Sequence, residues 1–364
     1  MEAIAEAILQ LPKKKIRSIL GDPEKSALAV HLIYVHDTEP GIKRIKKGKR
    51  FNYIVDETKP VKDQTHLQRI KSLVIPPAWE NVWICGLPNG HLQVTGMDVK
   101  KRKQYKYHPL WNSLRNHTKY FRLYQFGKAI PAIRLRLEKD LTLPGLPVEK
   151  VLATVVSLME RTNIRVGNYL YEKLYGSFGL TTMKDKHVNI AGTELNFSFK
   201  GKKGVQHDIS IRNKKLSAIV NACRDIPGKE LFQYYTNVQE RKSVESGMVN
   251  DYIRSISGGD FTAKDFRTWS GTLHAFLAFK ELGFFETAAE AKKKVTAALD
   301  RVAKQLGNTR NVCKKYYVHP AILTLYENKS LEKYLLELDK IEVDDIKAGL
   351  TAEEKIMMKI LESN

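Results

Sequence analysis

Near residue 115 the hydrophobic period of this chain changes, and that change constrains the fold more than any other feature. From Leu32 to about Val94 the apolar and aromatic residues come in short strand-like segments: LIYV (32–35), RFNYIV (50–55), NVWICGL (81–87) and HLQVTG (91–96). Pro, Gly and Asp punctuate them, and Pro88-Asn89-Gly90 signals a hairpin. One helix is expected among them, over residues 65–79, stopped by Pro76 and Pro77. Beyond residue 115 the period becomes helical. Val148, Val151, Leu152, Val155, Val156 and Met159 fall on one helix face behind Pro147, and a face from Ala288 to Leu306 repeats the pattern. A β interruption covers 187–212, where Leu195, Phe197 and Phe199, then Val205, Ile209 and Ile211, alternate with polar residues around a Lys-Gly turn. The expected fold is α+β, a small mainly antiparallel β domain followed by a larger, mostly α-helical one containing a small sheet with a hairpin. The expected boundaries are a helical extension (1–27), the β-rich domain (28–115), the helical domain (116–320) and an acidic helical tail packed on it (321–364).

Charge narrows the partners. The formal net charge is +21, yet six lysines against ten acids make residues 321–364 net −4, so the first 320 residues carry +25. KRIKKGKR (43–50), KKRKQYKY (100–107) and RNKK (212–215) concentrate it. Such a surface suits a polyanion, whose condensed counterions are released on binding; a merely solvated basic face gives the same composition. The longest apolar run, near residues 151–159, is far too short to span a bilayer, and the N-terminus does not have the order of a secretory signal. Cys85, Cys223 and Cys313 are unpaired in spacing and read as small hydrophobes in a reducing cytoplasm.

Several polar residues stand out. Thr262-x-x-Asp265 has the form of a capping box, which places Lys264 and Arg267 near the start of a helix. Cations there oppose the helix dipole, so an anion at the helix start would explain them better than folding does; exposure to solvent is the plain alternative. Arg165 follows the 148–161 helix, and Gly167 beside it permits close approach of a backbone or ligand. Lys202 sits at the hairpin tip. Tyr317 and Tyr316 point about 100° apart on a helix, so one of them at most faces a given site. In KRKQYKY, Arg102, Gln104 and Lys106 share one strand face, and Lys103, Tyr105 and Tyr107 the other. These types reach phosphates and base edges, although lysines also protect a solvated edge strand. Cys313 reads as core, and His274 and His319 as structural.

Taken in order, IPPAW (75–79), NGHLQVTGMDVKKRKQYKYHP (89–109), RVGN (165–168), SFGLTTMKDKHV (177–188), FKGK (199–202), TAKDFRTW (262–269) and LGNTRNVCKKYYVHP (306–320) resemble the type IB DNA topoisomerases, of the compact kind found in bacteria and poxviruses. The resemblance runs from about Ile33 to Pro320. It implies that Tyr317 is a nucleophile and that Arg165 and Arg267 grip the scissile phosphate. It further implies that Lys202 is a general acid, that Lys264 supports, and that Asn308 is the third phosphate-binding position. Arg102, Lys103, Gln104, Tyr105, Tyr107 and Tyr171 would contact DNA. Also implied are a monomer closing on duplex DNA as a C-shaped clamp, no cofactor or metal, and a cytoplasmic, nucleoid-associated enzyme. Two departures stand out: Asn308 replaces a histidine common in the family, and Met97 stands where arginine is frequent. The alternatives are a tyrosine recombinase, which usually has HxxR where this chain has Lys264-x-x-Arg267, and a non-catalytic duplex binder.

Overall fold

The computed structural model describes residues 22–363 apart from 49, 57, 100–102, 237–239 and 340–347. Most of the expected N-terminal extension, and Arg102, therefore lie outside the described residues. The fold is α+β, and the chain divides into two compact units between Phe121 and Arg122.

In the first unit, Asp22 caps a short helix α1 (Pro23–Leu28) by accepting from Lys25 N at 3.0 Å. A six-stranded antiparallel sheet follows, in the order β3-β2-β1-β4-β5-β6. Its strands are β1 (Ile42–Lys47), β2 (Arg50–Val55), β3 (Lys59–Pro60), β4 (Glu80–Ile84), β5 (Leu92–Met97) and β6 (Lys103–Tyr107). Helix α2 (Gln64–Ser72) seals one face, with Ile70 buried beside Ile42, Val82, Ile84 and Val94. This helix ends earlier than the sequence suggests, before the prolines are reached. Ile75 precedes Pro76 and is disfavoured in helical conformation. Val74 already turns away with φ 45°, and Lys106 Nζ donates to the carbonyls of Leu73 (2.7 Å) and Val74 (2.8 Å). The otherwise orphaned helix-end carbonyls thus acquire a charged partner.

Helix α3 (Pro109–Asp140) leads into the second unit, whose elements are mostly helices: α4 (Val148–Thr162), α5 (Tyr169–Tyr175), α6 (Lys214–Arg224), α7 (Ser246–Ser257), α8 (Ala263–Leu282), α9 (Ala288–Leu306), α10 (Arg310–Tyr316), α11 (Pro320–Glu327), α12 (Glu332–Leu338) and α13 (Ala352–Ser363). Pro147 is the N-cap of α4 rather than a residue of its first turn. The apolar stripe of α4 is buried from Val151 to Met159, with Val148 half-buried at its start. Around it pack α6, α7, α8 and the antiparallel sheet β7 (Val188–Ala191), β8 (Glu194–Lys200) and β9 (Gln206–Arg212). A small β10–β11 pair (Gln233–Tyr235, Arg241–Ser243) lies beside them. Leu195, Phe197 and Phe199 point into this core as their alternation requires, whereas Val205 is exposed because β9 begins only at Gln206. A second apolar cluster joins α8, α9, α11, α12 and α13. Among the described residues no helix is long and apolar enough to cross a membrane.

One polar network ties α13 to the core. Glu354, 2% exposed, accepts from Arg134 Nη2 (2.8 Å) and Nη1 (2.9 Å), from Trp269 Nε1 (2.9 Å) and from Thr351 N (3.0 Å). Arg134 also donates to Glu160 at 2.8 Å. Burial alone would raise the Glu354 carboxyl, but the Arg134 guanidinium overrides it and holds the pKa below the usual carboxylate range.

Candidate active site

The expected capping box forms: Thr262 N donates to Asp265 Oδ2 at 2.8 Å, and Asp265 also accepts from Arg122 Nε at 3.0 Å. Lys264 occupies the first turn of α8 and is exposed, while Arg267 one turn later is 5% exposed. Its guanidinium donates to the Leu306 carbonyl (Nη2, 2.7 Å) and, through Nη1, to that of Asn163. Asn163 ends α4 in left-handed conformation (φ 59°), and Arg165 leaves the helix two residues on. Arg165 Nη2 donates to Asn308 Oδ1 at 2.9 Å and to the Gly307 carbonyl at 3.3 Å. Both arginines thus converge on residues 306–308, where α9 terminates and its dipole is negative.

Tyr317 completes the cluster. It follows the last residue of α10, half-buried, with its ring centroid 5.3 Å from Arg267 Cζ. Its backbone is fixed against α8. The Tyr317 carbonyl accepts from Thr272 Oγ1 at 3.3 Å, and His319 N donates to that same hydroxyl at 3.1 Å. A side chain at Gly271 would fall 2.6 Å from the Tyr317 carbonyl oxygen, so only glycine admits this approach. Tyr316, the last residue of α10, is 39% exposed.

The electrostatics are those of an anion site. Neither guanidinium has a carboxylate partner among the described residues. Burial first, and then Arg267, push Arg165 down to about 10, with the Tyr317 phenol opposing. Burial likewise lowers Arg267, again opposed by Tyr317. Both remain cationic at neutral pH. Arg267 Nε and Asn308 Nδ2 are buried donors without a partner among the described residues. Because a guanidinium only donates, Asn308 must turn its oxygen to Arg165, which leaves the amide NH₂ as the unmatched group. Unmatched buried donors beside unpaired cations are costly unless an anion accepts from them.

Lys202 is exposed in the turn between β8 and β9. His207 on β9 is a member of the cluster that sequence reasoning passed over. Burial, then Arg165 and Arg267, lower its pKa below the ordinary histidine value. The signal was present, since His207 holds the inward phase of Ile209 and Ile211 in the β9 alternation. Cys313 is buried beneath the arginines and pushed up to about 11 by that burial, so it stays a protonated core thiol. His319 caps α11, its Nδ1 accepting from Ala321 N at 3.1 Å.

Of the remaining candidates, two have polar partners. Lys103 pairs with Asp37 at 2.6 Å and Gln104 Nε2 donates to Asp98 at 3.0 Å. Tyr105 and Tyr107 stack on the same strand face, centroids 6.0 Å apart, with Tyr105 47% exposed. Tyr171, on α5, is 37% exposed.

Comparison with known proteins identifies the family. Residues 101–342 match the family model for the eukaryotic DNA topoisomerase I catalytic core, and residues 50–98 match that for the bacterial DNA topoisomerase IB N-terminal domain. The chain is 32% identical over 295 residues to the DNA topoisomerase 1B of Acanthamoeba polyphaga mimivirus, covering 79% of this chain and 88% of that protein. It is 24% identical over 277 residues to the DNA topoisomerase 1B of Vaccinia virus (strain Copenhagen), covering 74% and 81%. The DNA topoisomerase I of Monkeypox virus matches at the same identity and coverage. With a family model spanning most of its length and a relative aligned over nearly all of theirs, the chain belongs to the type IB DNA topoisomerases.

Proposed function

We propose that this enzyme relaxes supercoiled duplex DNA by cutting one strand, letting the free end rotate, and resealing it. Tyr317 attacks a backbone phosphate. A bond forms from phosphorus to the phenolic oxygen, the bond to the 5′ oxygen breaks, and a 3′-phosphotyrosyl link holds the strand. Arg165, Arg267 and Asn308 bind the non-bridging oxygens and stabilise the charge that develops there, a role worth about 10²–10³-fold per donor. Lys202 gives its proton to the departing 5′ oxygen, worth about 10²–10⁴-fold. A phenol, ordinarily of pKa ~10, leaves far more readily than an alkoxide, so the same groups run the step backwards and no nucleotide is consumed. Lys264, exposed on the same helix as Arg267, supports the phosphate from the helix start.

The observation that carries this reading is the buried Arg267 and half-buried Arg165 guanidiniums, without a carboxylate partner among the described residues, beside two unmatched donors and a phenol. The DNA-contacting role of Lys103, Gln104, Tyr105, Tyr107, Tyr171 and Arg102, and a monomer enclosing duplex as a clamp, follow from the resemblance and belong to the same proposal. A suicide duplex labelled on the 5′ side of the cut, in the piece whose new 3′ end the tyrosine would hold, tests it. Wild type and Tyr316→Phe should carry the label through denaturation, and Tyr317→Phe should bind duplex without doing so. Adduct formation by Tyr317→Phe would end the assignment.

A further inference from the structure

We propose that His207 is a positioning residue that sets the Lys202 turn against the phosphate-binding turn at Gly307 and Asn308. The inference rests on the reading of Lys202 as proton donor. Lys202 itself is exposed, and a proton donor on an exposed turn is useful only if that turn is held in register with the phosphate site. The register begins in the sheet. β8 and β9 pair from Glu194 with Arg212 to Lys200 with Gln206, which sets Phe199 opposite His207. The two rings stack, 5.1 Å apart and 16° from parallel. The turn beyond is tight: Gly201 N donates to Val205 O (2.7 Å) and Gly204 N to Gly201 O (3.1 Å), with Lys203 at φ 63° and Gly204 at φ 78°. Where Gly201 goes, Lys202 follows.

The imidazole lies against both turns at once. A β-carbon at Gly201 would be 2.6 Å from His207 Cδ2 and 2.7 Å from Nε2. One at Gly307 would be 2.9 Å from the same Nε2 and closer still to Cε1. A single ring edge therefore fills the space between two glycines that lie 106 positions apart and have no room for a methyl group. Gly307 is also where Arg165 donates, so the ring joins the hairpin directly to the group that holds Asn308. The charged groups around the ring are Arg165 and Arg267 from other elements and Asp208 on its own strand. Burial first, then Arg165 and Arg267, lower its pKa against the opposing pull of Asp208, so the ring spaces the two turns without adding a third cation at neutral pH.

The test compares wild type, Lys202→Ala and His207→Ala in single-turnover cleavage of two suicide duplexes, one ordinary and one with sulfur in place of the scissile 5′ oxygen. A thiolate leaves without a proton. His207→Ala should lose at least about 10-fold on the oxygen ester, part of the general-acid contribution. On the sulfur ester most of that loss should vanish, and duplex affinity should stay near wild type. An equal loss on both esters, or none on either, overturns the inference while Lys202→Ala, if rescued by sulfur, keeps its own role. If Lys202→Ala is not rescued, the proton-donor reading falls, and hydrogen exchange decides for His207 alone. The Gly201 and Gly204 amides should exchange faster in His207→Ala while those of Leu195 and Phe197 keep their protection. Unchanged turn protection overturns the positioning role, and loss at all four amides marks a general structural defect that also overturns it.

Discussion

Replacing Glu354 with alanine should destabilise the second unit by about 3–5 kcal/mol, although Glu354 lies in the acidic tail and beyond the 101–342 match to the catalytic core. The magnitude follows from what is left behind. Arg134 would keep Glu160 at 2.8 Å but lose its two-point contact with Glu354, and Trp269 Nε1 and Thr351 N would lose their acceptor. Breaking one side of a buried pair leaves the other charge uncompensated, and each orphaned donor adds a desolvation cost of its own. For a unit of this size, each kcal/mol moves the melting temperature by about 2–4 °C, so a fall of roughly 6–20 °C is expected. Urea unfolding of the full chain at pH 7, followed by circular dichroism, gives the free energy directly. A double-mutant cycle with Arg134→Met should show coupling of about 1–3 kcal/mol. The sign with pH is fixed as well. The Glu354 pKa is depressed on folding, so its contribution is present above the ordinary carboxylate range and is lost as pH falls through the folded value. Wild type and Glu354→Ala should therefore converge in acid. A loss below 1 kcal/mol, or strict additivity with Arg134→Met, would refute the reasoning.

Arg165→Lys should slow cleavage about 10²–10³-fold with modest change in duplex affinity, since a single ammonium cannot replace a guanidinium that reaches both Gly307 O and Asn308 Oδ1; near-normal single-turnover rates would contradict it. Gly271→Ala should push Tyr317 from its place against α8 and cost up to about 10²-fold in cleavage while duplex binding persists, and equal losses in both would show a folding defect instead. In the first unit, His91 is buried and accepts from Val35 N at 3.1 Å; burial chiefly holds its pKa down to about 4. Its neutral form stabilises the fold fully above the unfolded value near 6.5, and about 3 kcal/mol should be lost as pH falls from there toward 4. Histidine-labelled NMR of the full chain should find His91 still neutral at pH 5.5, and titration near 6.5 would refute this.

Where residue chemistry is periodic or locally paired, the sequence was legible. Three of the four expected strands (those that become β2, β4 and β5), the buried stripe of α4, the inward set Leu195, Phe197 and Phe199, and the Thr262–Asp265 start of α8 all follow from spacing. Residues 32–35, by contrast, make only an isolated bridge, Ile33 with Gly90, and β1 lies in what read as a basic cluster. What spacing could not reveal are contacts made by groups with no code of their own. The carbonyls of Asn163 and Leu306 that hold Arg267 are backbone atoms, available at every position. Glu354 is one acid among ten in a tail that reads as surface charge, and only its distant partner Arg134 distinguishes it. The early end of α2 depends on Lys106, more than thirty positions away. His207 falls between these cases: its inward phase was legible, but the two glycines it fills belong to other turns.

The crowding of positive charge around Asn308 also bears on how the protein survives when it is not on DNA. Like charges held together in a partly dry setting raise the free energy of the folded chain, and helix-end carbonyls relieve only part of that repulsion. An oxyanion that lodges there removes the rest, and anything that binds the native form alone shifts the unfolding equilibrium in proportion to its occupancy. On the proposed reading of this site, thermal resistance and substrate engagement become one linked property, and the least robust form is the one without a phosphate.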